Sequence, residues 1–510
     1  MASQLRGLSR SRIEVHRMHG KRRRSVWVGL VLVLQGAADL RAATLLTARL
    51  LTPLSSYRSK PGDLVQALVN QAPCSERTNA LPEGTTLSGL VRNVRKVGLG
   101  LTHETAGLRL DFYELRTPDG RTYGVETRLV GVDNARERID RRGAIHGIRA
   151  TASLSSRVGS RLAMETLEHP LLLGPALILE SSLFRFPNPE IEYGRGTDLN
   201  LEVGIPEPFA NPSACSESSV PAELRGLVAD LPSWSYSKRQ PQPMDLVNLM
   251  FAGSRRALDA AFAAAGWTGS QPNSVAAGIH VVRALAEEHE YADAPMRMLL
   301  LSGDQPDLTL QTALNTFEKR DHLRIWKQAA EWQGQPTWAS AATRDLGATF
   351  SMGHPFGFTH EIQGDVDLER DKVVSDLQST GCVDSVEYVE RPRPVHTPGS
   401  ESRKEIHSDS RVAVVVLNEC AAPRQDFAEA GPDSRPPLAI RLFRRVSLTA
   451  RNHIIRDNIF YRSGDAARLG VLAVRSSYIH RRDERRAEEE DARRASPPPA
   501  ALAAATPNAE

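Results

Sequence analysis

The sequence predicts an α+β, multidomain protein: a β-rich barrel or sandwich, then a mixed α+β domain, then a disordered C-terminal tail. Three observations predict it. At 510 residues the chain exceeds what one hydrophobic core supports. From Thr44 to about Val203 apolar residues recur with period two, the signature of strands. From Asp245 short apolar runs alternate with stretches of helical period, some strands joined by helices and others by hairpins, which marks α+β rather than a doubly wound sheet. The expected boundaries are a signal peptide over 1–43, a β-rich domain over 44–205, a linker over 206–243 and an α+β domain over 244–425. A basic amphipathic extension over 426–475 and a tail over 476–510 complete the chain.

The N-terminus reads as a secretory signal. Lys21 to Arg24 give KRRR, Val26 to Leu34 give VWVGLVLVL, and small residues follow, so cleavage is expected near Ala38 or Ala43, with Met1 or Met18 as the start. The apolar run is too short to span a bilayer, which takes roughly 20 residues. The formal charge of +3 is carried by this segment, and the rest of the chain is acidic on balance. A nucleic-acid binder carries its positive charge on the folded part, so that class is excluded. Localisation is therefore expected to be exported, periplasmic or envelope-associated, with no transmembrane helix in the mature chain.

In the first domain, Leu108, Leu110 and Phe112 of LRLDFYEL share one face, and Tyr123, Val125, Thr127 and Leu129 of TYGVETRL share another. Pro118-Asp119-Gly120 joins the two runs as a hairpin turn, proline presetting φ and glycine supplying the positive φ. The wording Thr47-Ala48-Arg49-Leu50-Leu51-Thr52-Pro53-Leu54-Ser55-Ser56, Pro61-Gly62-Asp63 and Leu81-Pro82-Glu83-Gly84-Thr85-Thr86-Leu87-Ser88-Gly89 resembles the TrbI-type β-barrel domain of conjugation channel proteins. That resemblance implies a periplasmic barrel or sandwich. LLLGPALILE, Leu171 to Glu180, is too short to span and broken by Gly174-Pro175, so burial against the barrel is expected over contact with a membrane surface. Four cysteines, Cys74, Cys215, Cys382 and Cys420, leave two readings open: a disulfide, for which chain order favours Cys382 with Cys420, or free thiols.

In the second domain LVNLMF, Leu246 to Phe251, reads as a buried strand and Ser254 as the N-cap of a helix with Leu258, Ala261, Phe262 and Ala265 inward and Gly266 as its stop. A second helix is expected from Asn273 to Glu288 with Val275, Ile279, Val282 and Leu285 facing the core. Strands are expected at Arg297 to Leu301, His322 to Lys327, Thr337 to Thr343 and Arg411 to Leu417.

Two places could carry chemistry. On strand DHLRIWK, His322, Arg324 and Trp326 share a face that suits an anion or a ring-bearing ligand, against the plainer reading of a half-exposed strand face with a structural aromatic. In FTHEIQGDVDLERDKVV, Phe358 to Val374, His360 precedes Asp365, Asp367, Glu369 and Asp371. An EF-hand fails because Arg370 stands where glycine is needed, and the helical zinc motif fails because Gly364 replaces the second histidine. A helix start explains the acids more simply: Val366, Val373 and Leu377 form its buried stripe, acids meet the positive helix end, and Gly381 stops it. The like pair Asp367 and Asp371 at i,i+4 is then offset by Arg370 or Lys372. The sharper reading has His322 and His360 converging with Asp365, Asp367 or Asp371 at a catalytic or metal site, with Arg324 binding an anion. No cofactor is indicated: there is no Walker loop or nucleophile elbow, and Gly98-Leu99-Gly100 lacks the third glycine of a dinucleotide loop. Leu448 to Arg462 is basic and amphipathic, Ile454, Ile455, Ile459 and Phe460 forming a stripe expected to pack back on the domain, with membrane or partner docking as the alternative.

The series Val247-Asn248-Leu249, Phe251-Ala252-Gly253-Ser254, Asp304-Gln305-Pro306-Asp307-Leu308, Asp321-His322-Leu323-Arg324-Ile325-Trp326, Trp338 to Asp345 and Thr359-His360-Glu361-Ile362 resembles the LssY C-terminal domain family over roughly residues 241–420. Where this chain has Asp321-His322, family members often have two adjacent histidines. The resemblance implies an envelope module of no established activity, found beside membrane and phosphatase-like parts. The expectation is a binding or scaffold module with envelope lipids or an envelope protein as partner; the competing class is a phosphoester or lipid hydrolase, possible metal assistance included.

Overall fold

The computed structural model describes residues 43–70, 81–101, 103–157, 185–206, 209, 221–237, 240–272, 274–350, 358–395, 406–420, 437–457, 471 and 474. The expected signal segment, Leu171 to Glu180, Cys74, Cys215, Ile459, Phe460 and the tail from 476 lie outside the described residues. The described residues from Thr44 onward form one compact unit.

The first half is a β-barrel. Its strands are β1 (Ala43–Leu50), β2 (Leu54–Ser55), β3 (Leu64–Val69), β4 (Thr86–Arg95), β5 (Gly107–Arg116), β6 (Thr122–Gly124), β7 (Thr127–Val132), β8 (Arg138–Ile139), β9 (Ala144–His146), β10 (Glu192–Tyr193) and β11 (Asp198–Gly204). Nine of them form one sheet in the order β7-β11-β1-β3-β4-β5-β9-β8, with β6 on β5, and its end strands β7 and β8 meet so that the sheet nearly closes. Alternation explains the core. Leu108, Leu110 and Phe112 of β5 point inward beside Leu46, Leu50, Leu87 and Leu201, as expected. The expected strand TYGVETRL is two strands, broken at Val125-Glu126. The turn between β5 and β6 is the expected one: Gly120 sits at φ 86° and donates its N–H to Thr117 O at 2.9 Å. Gly89 answers a different need, because a Cβ there would meet Asp111 O at 2.5 Å where β4 bulges against β5.

In the second half the strands are β12 (Trp234–Ser237), β13 (Gln240–Leu246), β14 (Leu249–Ala252), β15 (Thr268–Gly269), β16 (Leu299–Leu300), β17 (Leu308–Ala313), β18 (Arg320–Trp332), β19 (Gln335–Phe350), β20 (Phe358–Ile362), β21 (Val383–Glu390) and β22 (Arg411–Leu417). The described α-helices used below are α1 (Ala222–Asp230), α2 (Arg255–Ala264), α3 (Val275–Ala286), α4 (Asp367–Ser379) and α5 (Leu438–Asp457). The main sheet runs β15-β17-β18-β19-β14-β22-β21 with β20 on β19, antiparallel except for the β14–β22 pair. Both its faces are buried. Phe251, Leu323 and Ile325 meet α2 and α4 on one side, while Met250, Trp326 and Ala339 meet α1 on the other. The stretch expected as a linker, 206–243, thus contains α1, whose Leu224 and Val228 close the second face.

Ser254 caps α2 as its sequence position requires, accepting from Ala257 N–H at 3.0 Å. Ser254→Ala is expected to lower stability by about 1 kcal/mol, measured by urea unfolding; an unchanged midpoint would contradict the capping role. Helix α3 corrects the sequence in part: Leu285 faces the core as expected, but Val275, Ile279 and Val282 face solvent, and Ala277 and Ala284 take the core side. The small residues win because the facing surface, built by Phe317 and Ala294, is close. Cys382 and Cys420 form a disulfide with Cα atoms 4.6 Å apart. Helix α5 packs on the barrel through Leu448, with Ile455 also buried. No described helix is long and apolar enough to cross a membrane.

Candidate functional site

The structure places the sequence-predicted residues in two separate settings. Strand alternation sends His322, Arg324 and Trp326 to the face under α1, where they are buried rather than half exposed. Arg324 donates to Asp245 Oδ2 at 2.5 Å and to the Arg297 carbonyl at 3.1 Å. His322 Nε2 lies 3.2 Å from Asp345 Oδ2, which Arg320 also approaches at 3.5 Å. Burial pushes the Asp345 carboxyl up to about 7, against the pull of Arg320 and Arg324. The polar strand face is thus matched internally, each cation to a carboxylate or carbonyl.

Asp367 and Asp371 lie on α4, which covers the opposite face of the sheet. They sit around one buried guanidinium. Arg370 donates to Asp371 Oδ1 at 2.9 Å, Asp367 Oδ1 at 3.2 Å and Asp409 Oδ1 at 2.7 Å, with Tyr388 donating to Asp371 at 3.1 Å. Burial opposes the charge of Arg370, but the three carboxylates outweigh it and hold its pKa above the ordinary arginine value. The expected offset of the like pair is thus made by Arg370, and the buried stripe is Val366, Val373 and Leu377 as predicted. Burial pushes Asp367 up, Arg370 opposing. Asp365 pairs through its backbone with His407, and His360 opposes Ala348 in the β19–β20 ladder; its side chain lies outside the description. The sheet stands between His322 and Arg324 on one side and Asp367 and Asp371 on the other. Among the described residues no three His, Cys, Asp or Glu side chains are placed to hold a metal ion.

What sequence reasoning missed is a buried ionic seam joining the two halves. Arg49 of β1 forks onto Asp198 of β11 at 2.8 and 2.9 Å and also reaches Asp376 of α4. Lys372 reaches Asp198 at 3.0 Å and Asp376 at 3.2 Å. Arg344 of β19 forks onto Asp133, just after β7, at 2.9 Å twice, and its Nε donates to Asp321 at 2.8 Å and Glu369 at 3.1 Å. Asn134 completes Asp321 at 2.7 Å, and Trp267 donates to Asp376 at 3.0 Å. Five carboxylates face three cations here, and Glu369 Oε1 has no hydrogen-bond partner among the described residues. Burial therefore pushes Glu369 well up, with Asp321 adding to it, and pushes Asp321 up as well. Asp321, Arg344 and Glu369 were visible only as polar markers; nothing local announced that Arg344 and Asp321 also meet Asp133 and Asn134 of the barrel, 211 and 187 residues away.

The other missed feature is a cleft of about 1140 Å³ between the barrel, α3 and α5. Eight arginines line it (Arg58, Arg136, Arg185, Arg283, Arg441, Arg444, Arg445 and Arg456) with His280, His289 and His453, against four glutamates. Aromatic rings hold some of the guanidinium groups in place: Arg444 lies 4.5 Å over Tyr57 and Arg456 5.6 Å over Phe186. Arg444 also pairs with Glu190, and Arg283 with Glu287 at 2.8 Å. Arg441 and Arg445 are exposed and make no ion pair among the described residues. Such planar forks on a concave wall can take a phosphate or carboxylate bidentately. The amphipathic period of α5 was legible, but not that its arginine side faces the molecule.

No curated protein matches this chain. Among solved structures, ComB10 of the Com type IV secretion system of Helicobacter pylori aligns at 14% identity over 32% of this chain and 86% of that one, with a TM-score of 0.17. At that score the likeness transfers neither fold nor function. The second half has a firmer counterpart: residues 229–409, which hold α2, α3, α4, strands β12 to β21 and the Asp321–Arg344–Glu369 side of the seam, match the family model described as LssY C-terminus.

Proposed function

We propose that the protein is an exported envelope binding module that takes a phosphate- or carboxylate-bearing ligand in its arginine-lined cleft. The observation that carries this reading is the excess of cations on the cleft wall, with Arg441 and Arg445 exposed toward it and not engaged by a described acid. Export is supported by the four basic residues Lys21 to Arg24 followed by the apolar run Val26 to Leu34. In this reading the LssY-type domain and the barrel act as a frame, held by the ionic seam, and α5 closes the cleft against them. The test is calorimetric titration with inorganic phosphate and with citrate, before and after Arg441→Glu with Arg445→Glu. Binding that weakens by about tenfold or more in the variant is expected, because a charge-assisted hydrogen bond contributes about 1.5–3 kcal/mol. Absence of binding to either anion, or equal binding by the variant, refutes the proposal.

A further inference from the structure

The two helices that wall the cleft both turn apolar stripes outward. On α3, Val275, Ile279 and Val282, spaced i, i+4 and i+7, are 82%, 61% and 40% exposed. On α5, Leu442, Phe443 and Val446 are 50%, 68% and 67% exposed. A helix packed on a globular core normally turns its large apolar residues toward that core. Here α3 gives the core mainly alanines, and the side of α5 that faces the cleft carries Arg441, Arg444 and Arg445. At 100° per residue the stripe of each helix begins within about a quarter turn of its cleft-facing cations, Arg283 on α3 and Arg445 on α5. The result is an arginine-lined trough flanked, on α3 and on α5, by an exposed apolar strip.

We infer that this rim docks on an anionic phospholipid bilayer, the stripes entering the headgroup–acyl boundary and the trough arginines meeting lipid phosphates. The polar half of the inference rests on the cleft being an anion site, as proposed above. Charge complementarity selects the occupant. A protein partner seated on both stripes would strip water from the arginines between them, at a desolvation cost that needs matched carboxylates. A headgroup layer supplies phosphates and water together, and interfacial helices combine exposed apolar side chains with flanking cations in this way.

The experiment is sedimentation of the purified full chain with phosphatidylcholine vesicles carrying about a third phosphatidylglycerol, and with phosphatidylcholine alone. Binding is expected on the anionic vesicles and at least about tenfold weaker on the neutral ones. Phe443→Ser with Val446→Ser, and separately Ile279→Ser, should each weaken vesicle binding by about tenfold while leaving inorganic phosphate affinity and the thermal midpoint unchanged, since these side chains touch solvent and the changes add no charge. Equal binding to both vesicle types, or full binding by the stripe variants, overturns the inference. Stripe-dependent vesicle binding without phosphate binding in solution would leave docking standing and remove the ligand reading of the cleft; phosphate binding without vesicle binding would do the reverse.

Discussion

Arg344→Ala is expected to lower the unfolding free energy by about 3–5 kcal/mol, the usual cost of removing one partner from a buried ionic cluster. Arg344 is the cation through which Asp133 of the barrel, Asp321 of β18 and Glu369 of α4 meet. Its loss leaves Lys372 and Arg49 to balance five buried carboxylates. Glu369 and Asp321 can escape part of that cost by holding protons, because burial already pushes both upward. The loss should therefore shrink as the pH falls, an acid rescue that a simple packing defect would not show. Arg344→Lys keeps the charge but not the fork that spans Asp133, and should recover only part of the stability. Urea titration followed by tryptophan fluorescence is a suitable measurement, since Trp267 donates to Asp376 at the seam. A single transition in the parent and two in Arg344→Ala would show that the seam couples the halves. A change below about 1 kcal/mol would mean that the cluster contributes little.

The contrast between α4 and α3 shows what the sequence could reveal. For α4 everything needed is local: the acids of its first turn, Arg370 between Asp367 and Asp371, the stripe Val366, Val373 and Leu377, and the glycine stop lie within one short segment. For α3 the same periodic reading put Val275, Ile279 and Val282 inward, because period alone gives the apolar face but not how close the neighbouring surface comes. The barrel alternation was legible for the same reason as α4, and the covered second face of the main sheet was not, because α1 lies in a Pro- and Ser-rich stretch whose helix holds only two buried residues, Leu224 and Val228. Among the candidate site residues, chemistry was readable and pairing was not. His322 and Arg324 carry the groups an anion site needs, yet Asp345 and Asp245, one of them 79 residues away, already face them. Apart from the i,i+4 pairs Lys372–Asp376 and Arg283–Glu287, the seam and the arginine cleft are assembled by contacts between distant segments, which no spacing rule encodes.

The second large effect concerns pH. The carboxyl of Asp345 is buried beside Arg320 and His322, with Arg324, Asp245 and Asp321 near enough to act on it, and burial dominates, pushing it up to about 7. In the unfolded chain an aspartate titrates near its ordinary value of about 3.9. Between these two values the folded protein holds a proton that the unfolded chain has released, so stability falls as pH rises through the window. The contribution is fully present below about pH 4 and lost by about pH 7; roughly three pKa units correspond to about 4 kcal/mol, as an order of magnitude. Asp345→Asn removes the titrating group while keeping its shape. The variant's stability should therefore stay flatter across that range, and the gap between the two proteins should shift in the variant's favour as the pH is raised from about 4 to 7. Below about pH 7 the Asp345 carboxyl is neutral in the folded protein, so across this range Asp345→Asn takes no carboxylate from Arg320. Guanidinium unfolding at half-unit steps of pH measures the slopes directly. Parallel profiles for the parent and Asp345→Asn would show that Asp345 titrates no differently in the folded protein than in the unfolded chain, and the buried face of β18 would then have to be charged throughout.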